Sequence, residues 1–268
     1  MAVLVFEAQQ REHCWTTRRT RKMSVFASVK GKAGKEPKIL VINPNSSQSM
    51  TESLVKTFQA SPPAHVTLSF FTGPSECPKS IDNEEGCHDS AQACLPLLLP
   101  GMHAREYDAY LVACYSEHPL PRLLRDASGG TVPVLGIFEA SVLYSLANIL
   151  PTDKFGIITT GKVWEALLTD ALGRFLGATN STRFAGVMST GYTAGELHQV
   201  PQADVYRKIG KAAKVLVEDR GARAICLGCA GMVGMKDAIT EALGEKWAGK
   251  ITIVDGVRAG VLLASSMV

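Results

Sequence analysis

The chain has 268 residues, 46% hydrophobic and 20% charged, which is enough apolar length for one large α/β domain or two small ones. Its net charge of +3 is unevenly spread: residues 1–36 hold eight basic and three acidic side chains, and the rest holds 20 basic and 22 acidic. The body therefore has no basic stripe of the kind nucleic acid needs, and no apolar run long enough to span a bilayer. Seven cysteines (Cys14, Cys77, Cys87, Cys94, Cys114, Cys226 and Cys229) are an odd set with no secretory signal ahead of them, which argues against a disulfide framework.

Residues 1–36 are rich in Arg, Lys, Ser and Thr and lack a sustained apolar period, so a disordered basic extension containing Cys14 is expected. Its basic character suits a mitochondrial presequence, against which Glu7 and Glu12 count. An upstream-extended reading frame with Met23 as the true start is the alternative. The expected location is the cytoplasm, or the mitochondrion if the extension is a presequence.

The folded body is expected from Lys38. KILVINPNSS reads as an apolar strand entering a polar turn, and MTESLVKTFQA follows with helical spacing. His65–Phe71 is a second strand and Thr72–Asp82 a loop. Asn83–Leu99 is a helix that Pro96 should disturb in its last turns, and Tyr107–Cys114 is a third strand. Pro119–Ala127 reads as a helix, and VPVLGIFEA as a strand feeding a helix that begins near Glu139. From Lys154 the order begins again, with KFGIITT as a strand, Lys162–Leu176 a helix, Phe184–Ser189 a strand and Gln202–Arg220 a periodic helix. ARAICLGC, Lys236–Leu243 and ITIVDGVRAGVLLA complete the series.

Three landmarks recur at nearly constant offset: Lys38 with Lys154, Cys114 with Cys229, and Gly136 with Gly256. That is the pattern of an internal duplication of an α/β unit. Such units bind ligands beyond the carboxyl ends of their strands, so Cys114 and Cys229 are expected around one cleft. Two opposed thiols suit removal of a proton from a carbon beside a carbonyl and its return on the other face. Nearby amide donors or a helix N-terminus can lower a thiol pKa toward neutrality, and the small-residue corner Ala230-Gly231 leaves its N–H groups open to an oxyanion.

The plainer reading of a strand-end cysteine is a small buried hydrophobe. It stands for Cys226 in mid-strand and for Cys77, Cys87 and Cys94; for Cys114 and Cys229 the symmetric placement weighs against it. Cys226-x-x-Cys229 lacks a second knuckle, so no metal is expected. Asn43, Asn45, Ser46 and Ser47 in the first turn, and Thr159 and Thr160 in its repeat, serve either as ligand contacts or as turn formers and caps. His118 either tunes the nearby thiol or contacts substrate, or faces solvent at a helix start.

INPNSS (Ile42–Ser47), ACYSEHP (Ala113–Pro119), VPVLGIFEAS (Val132–Ser141) and LGCAGM (Leu227–Met232) together resemble the Asp/Glu/hydantoin racemase superfamily, in its hydantoin and allantoin racemase branch. The resemblance covers about residues 38–268. It implies an α/β fold of two pseudo-symmetric lobes with parallel sheets and a site in the cleft between them. The lobes would be 37–147 plus 255–268, and 148–254. It also implies catalytic Cys114 and Cys229, with Asn43 of the INPN turn and the loop amides near both cysteines holding the substrate; Asn45, Ser47, Tyr115, Ser116, Thr159, Thr160, Ala230 and Gly231 are the further substrate contacts expected. Many hydantoin racemases carry Gly/Ser-Asp-Pro-Gly after the first cysteine, where this chain has Ser116-Glu117-His118-Pro119-Leu120, a difference that bears on which ring substituent fits more than on the reaction.

The expected activity is cofactor-independent racemisation or epimerisation of a small nitrogen compound such as a 5-substituted hydantoin or allantoin. A cysteine-dependent cis-trans isomerase of an unsaturated diacid, a one-thiol decarboxylase and a non-catalytic small-molecule binding protein are the alternatives. A homo-oligomer is expected, with no nucleic-acid or membrane partner.

Overall fold

The computed structural model describes residues 36–268. The expected basic extension, with Cys14, lies outside the described residues apart from Glu36. Lys38–Asn43 carries Ile, Leu, Val and Ile without polar alternation, the composition of a strand covered on both faces. It forms β1, in which every residue after Lys38 is buried. A polar turn leads to α1 (Gln48–Ala60), β2 (Thr67–Thr72), α2 (Glu84–His103), β3 (Ala109–Val112), α3 (Pro119–Ala127), β4 (Val134–Gly136) and α4 (Ile137–Asn148).

The same order follows in β5 (Lys154–Thr159), α5 (Val163–Leu176), β6 (Phe184–Ser189), α6 (Gln202–Lys214), β7 (Ala222–Gly228), α7 (Lys236–Leu243), β8 (Thr252–Asp255) and α8 (Gly256–Ser266). A π turn over Val215–Asp219 extends α6. The strands form two four-stranded parallel sheets, ordered β2-β1-β3-β4 and β6-β5-β7-β8. The offsets read in the sequence thus correspond to one strand order used twice. Lys38 and Lys154 open the central strands β1 and β5, and Gly136 and Gly256 stand where β4 and β8 give way to helices.

The last helix of the first half, α4, lies against β7 and against α8, and α8 lies against β3. Gly260 permits that approach, because a Cβ there would stand 2.5 Å from Cδ1 of Leu111. Ile39, Val41, Phe138, Ile157 and Val257 are fully buried in one continuous core that draws on both sheets. Asp255 fixes the start of α8, its Oδ1 accepting from the N–H groups of Val257 and Arg258 at 3.0 and 3.1 Å.

Two helix boundaries differ from the sequence reading. Helix α2 does not end near Leu99 but continues through Pro96 and Pro100 to His103. Each proline removes one backbone bond, yet Cys94, Leu98 and Met102 still share a buried face. Asn83 Oδ1 caps the other end by accepting from Gly86 N–H at 2.9 Å, with Glu84 and Glu85 in the first turn, where the helix dipole favours negative charge. Helix α4 begins at Ile137, two residues earlier than expected, directly off β4. No helix among the described residues is long and apolar enough to cross a membrane.

Candidate active site

The carboxyl ends of β1, β3, β5 and β7 surround one cavity. Asn43 closes β1, Ala113, Cys114 and Tyr115 follow β3, Thr160 follows β5, and Gly228–Gly231 run from β7 into a short 3-10 turn, Ala230–Met232. Parallel strands direct their chain ends, and the loops after them, to this side of a sheet. Cys114 and Cys229, one from each half, therefore line the same cavity, and both are partly exposed.

On the first side, Cys114 Sγ lies 3.4 Å from Ser116 Oγ, which accepts from Cys87 Sγ at the same distance. Cys87 is buried near the start of α2. Its contact with Cys114 pulls the Cys87 thiol below its ordinary pKa despite burial. The same contact, with burial adding to it, pushes Cys114 well above. His118 is buried, not solvent-facing, and touches neither the cavity nor a thiol by hydrogen bond. Its Nδ1 accepts from Leu120 N–H at 3.2 Å, capping α3, and its Nε2 lies 2.8 Å from Ser90 Oγ. Burial, with His88 adding to it, lowers the imidazole pKa to about 3, so the ring is neutral.

On the second side, Cys229 caps its own 3-10 turn: Gly231 N–H donates to its Sγ at 3.3 Å. The sequence reading gave this N–H to an oxyanion, and it is spent on the sulfur instead. Ala230, at the first position of the turn, keeps an N–H without an intrahelical acceptor. The expected lowering of the thiol pKa is also reversed. Burial pushes Cys229 up to about 11, outweighing the Gly231 and Met232 amides, because desolvation penalises a thiolate more than these two N–H groups repay. Asp82 adds to the rise from a distance, its carboxylate accepting from Ala194 N–H.

Of the other expected contacts, Asn43, Asn45, Tyr115, Thr160, Ala230 and Gly231 line the cavity. The Asn43 amide group donates to Asn45 Oδ1 at 2.9 Å and lies within bonding distance of Thr51 Oγ1 and the Ser47 carbonyl, which fixes the turn. Ser47, Ser116 and Thr159 do not line the cavity. Ser47 starts α1, Ser116 joins the two thiols, and the Thr159 hydroxyl donates to the Gly228 carbonyl at 3.2 Å, tying β5 to β7.

Met50, Leu54, Ile81, Trp164 and Ala194 complete the wall and were not singled out from the sequence. Met50 and Leu54 lie four apart on α1, immediately after the INPN turn, a spacing that could have marked them. Ile81 and Ala194 arrive from loops with no local signal. None of the described lining residues is Asp, Glu, Lys or Arg.

Cys226 and Cys229 do not act as a pair. Cys226 is fully buried against Ser145 Oγ at 3.1 Å, while Cys229 faces the cavity. One cluster has the composition of a metal site: Cys87, Cys114 and His118 offer ligand atoms within 4.8 Å of one another. With Nδ1 capping α3 and Nε2 bound to Ser90, His118 has no free lone pair for a cation without breaking the helix cap.

A family model described as Asp/Glu/Hydantoin racemase matches residues 39–264. An uncharacterised protein of Schizosaccharomyces pombe is 39% identical over 231 residues, which cover 86% of this chain and 92% of that one. A hydantoin racemase of Paenarthrobacter aurescens is 32% identical over 244 residues, 86% of this chain and 91% of its own length. Among solved structures, an allantoin racemase from Pseudomonas fluorescens superposes with a TM-score of 0.70 at 26% identity, covering 86% of this chain and 90% of that one. With its duplicated parallel sheets and a shared strand-end cavity, the chain belongs to the Asp/Glu/hydantoin racemase family.

Proposed function

We propose that the protein is a cofactor-independent racemase or epimerase of a small, neutral nitrogen ring of the 5-substituted hydantoin or allantoin type, with Cys114 and Cys229 as the two proton-transferring groups. The observation that carries this reading is that the two duplicated strand-end cysteines line one cavity whose described lining has no ionic side chain other than the thiols. A thiolate on one side removes the proton from the ring carbon between carbonyl and nitrogen, and the thiol opposite protonates the resulting enolate on its other face. The reverse assignment converts the other enantiomer.

Thiols held above their ordinary range form strong bases once ionised, which suits a weakly acidic C–H bond. The side-chain amides of Asn43 and Asn45, the Thr160 hydroxyl and the Ala230 N–H supply donors and acceptors for ring carbonyl and N–H groups. Met50, Leu54, Ile81 and Trp164 form the apolar wall against the ring substituent. The kinship with a hydantoin racemase supports the same reading. A diacid isomerase is the weaker alternative, because two carboxylates in such a cavity would lack the cations that burial of charge requires.

The test is optical rotation of purified protein with single enantiomers of 5-benzylhydantoin, 5-isopropylhydantoin and allantoin, alongside L-glutamate, L-aspartate and maleate. Rotation should decay above the uncatalysed rate for at least one ring and for neither amino acid. Retention of rotation by every ring, or conversion of maleate, would count against the proposal.

A further inference from the structure

Two-base chemistry leaves its sulfurs in the wrong state. After one molecule is inverted, the former base carries a proton and the former acid has lost one, so the next molecule of the same enantiomer waits until both exchange with solvent. The substrate cavity admits that exchange only once the product has left it. Cys114 has another exit. A second cavity is lined by Cys87 and Ser116. Trp164 lines both cavities, while Cys114 lines only the first and Cys87 only the second.

We propose that Cys87 and Ser116 relay protons between Cys114 and water in this second cavity. The proposal rests on the racemase reading of the first cavity. The chain is continuous: Cys87 Sγ donates to Ser116 Oγ at 3.4 Å, and Ser116 Oγ lies 3.4 Å from Cys114 Sγ. In the inward direction, the Cys114 thiolate takes the Ser116 hydroxyl proton while Ser116 takes the Cys87 thiol proton. The Cys87 thiolate then takes a proton from water and leaves hydroxide. The reverse sequence discharges Cys114. No atom is left unbalanced, and water is the only co-reactant.

The lowered Cys87 and raised Cys114 favour the inward transfer. Glu84, His88, Glu117 and Arg174 at the second cavity make its mouth polar. His118 Nε2 sets the Ser90 hydroxyl 3.1 Å from the Cys87 carbonyl, which holds this turn of α2 in register with the relay. Cys87 acts through Cys114 and does not line the substrate cavity. Cys229 has no such escort: among the described residues its close polar partners are the backbone N–H groups of Gly231 and Met232, which cannot pass a proton onward.

The test is initial-rate kinetics of Cys87→Ala, Cys87→Val and Cys87→Ser across a wide range of concentration of one enantiomer of a hydantoin the wild-type enzyme converts. Folding is checked by far-ultraviolet circular dichroism. Relay loss should lower kcat at saturating substrate on the order of tenfold in the alanine and valine variants while leaving kcat/KM unchanged, because only regeneration is slowed. Serine, which keeps a transferable proton, should restore most of kcat. Equal falls in kcat and kcat/KM, or a serine variant no better than valine, would overturn the relay and make Cys87 a packing residue. A wild-type protein that converts no ring at all would remove the racemase reading and the relay with it.

Discussion

The two halves share a strand order and part company at their strand-end sulfurs. In the first half, Cys114 belongs to a group of hydrogen-bonding side chains from α2 and the loop before α3, with Cys87 and Ser116 close by. In the second, Cys229 is held by the backbone of its own turn. The residue before each sulfur differs too. Ala113 precedes Cys114, but Gly228 precedes Cys229, where a Cβ would come within 2.7 Å of the Ile158 carbonyl oxygen. Duplication conserved the placement of the two thiols, which is a property of strand order, while the surroundings that set their protonation diverged. The placement of the thiols and their proton supply are separable features of such a site.

Four changes probe that comparison. The largest effect is expected where the halves are equivalent: Cys114→Ala and Cys229→Ala should each reduce racemisation by about 10²–10⁴-fold, the usual weight of a general acid or base. Polarimetric rates decide it, and full activity in either variant would break the symmetry of roles. Next comes the position where the halves differ. Gly228→Ala brings a methyl against backbone that cannot rotate away, and denaturant titration should show a loss of about 1–3 kcal/mol.

A smaller effect is expected from pH. Cys226 and Cys229, each pushed up to about 11 by burial, lie above the ~8.5 of an unfolded thiol. The unfolded chain therefore releases these protons first as pH rises. Their contribution to stability is complete below about pH 8.5 and is lost as pH climbs through the folded-state values. Urea midpoints should fall across that window, and less steeply in Cys229→Ala. The smallest effect belongs to the ion pair between Glu117 of the first half and Arg174 of the second, 2.6 Å apart and about half exposed on both sides. Glu117→Gln should cost no more than about 1 kcal/mol, because solvent screens such pairs.

What the sequence disclosed follows from how local each signal is. The apolar runs of β1 and β7, Pro119 at the start of α3, and the recurrence of strand-end cysteines are written in consecutive residues, so the elements and the two thiols were legible. The persistence of α2 through Pro96 and Pro100 was not, because a buried face holding Cys94, Leu98 and Met102 overrides a local breaker. Trp164, Ile81 and Ala194 reach the cavity from separate segments by tertiary packing. Cys87 looked like a packing cysteine because its neighbour, Ser116, is 29 residues away along the chain. The rise in the thiol pKa values was not legible for the same reason: desolvation comes from tertiary packing around the sulfur, and the neighbouring residues in the sequence do not show it.

The account stands on two opposed thiols acting from opposite faces, and deuterium labelling tests that most directly. One enantiomer of a converted hydantoin is incubated in deuterium oxide, and both enantiomers are separated and weighed for deuterium early in the reaction. Two-base transfer places solvent deuterium in the inverted product while the remaining starting enantiomer stays protiated. Deuterium appearing equally in both enantiomers from the start would mean a single base serving both faces, and would contradict the assignment of Cys114 and Cys229.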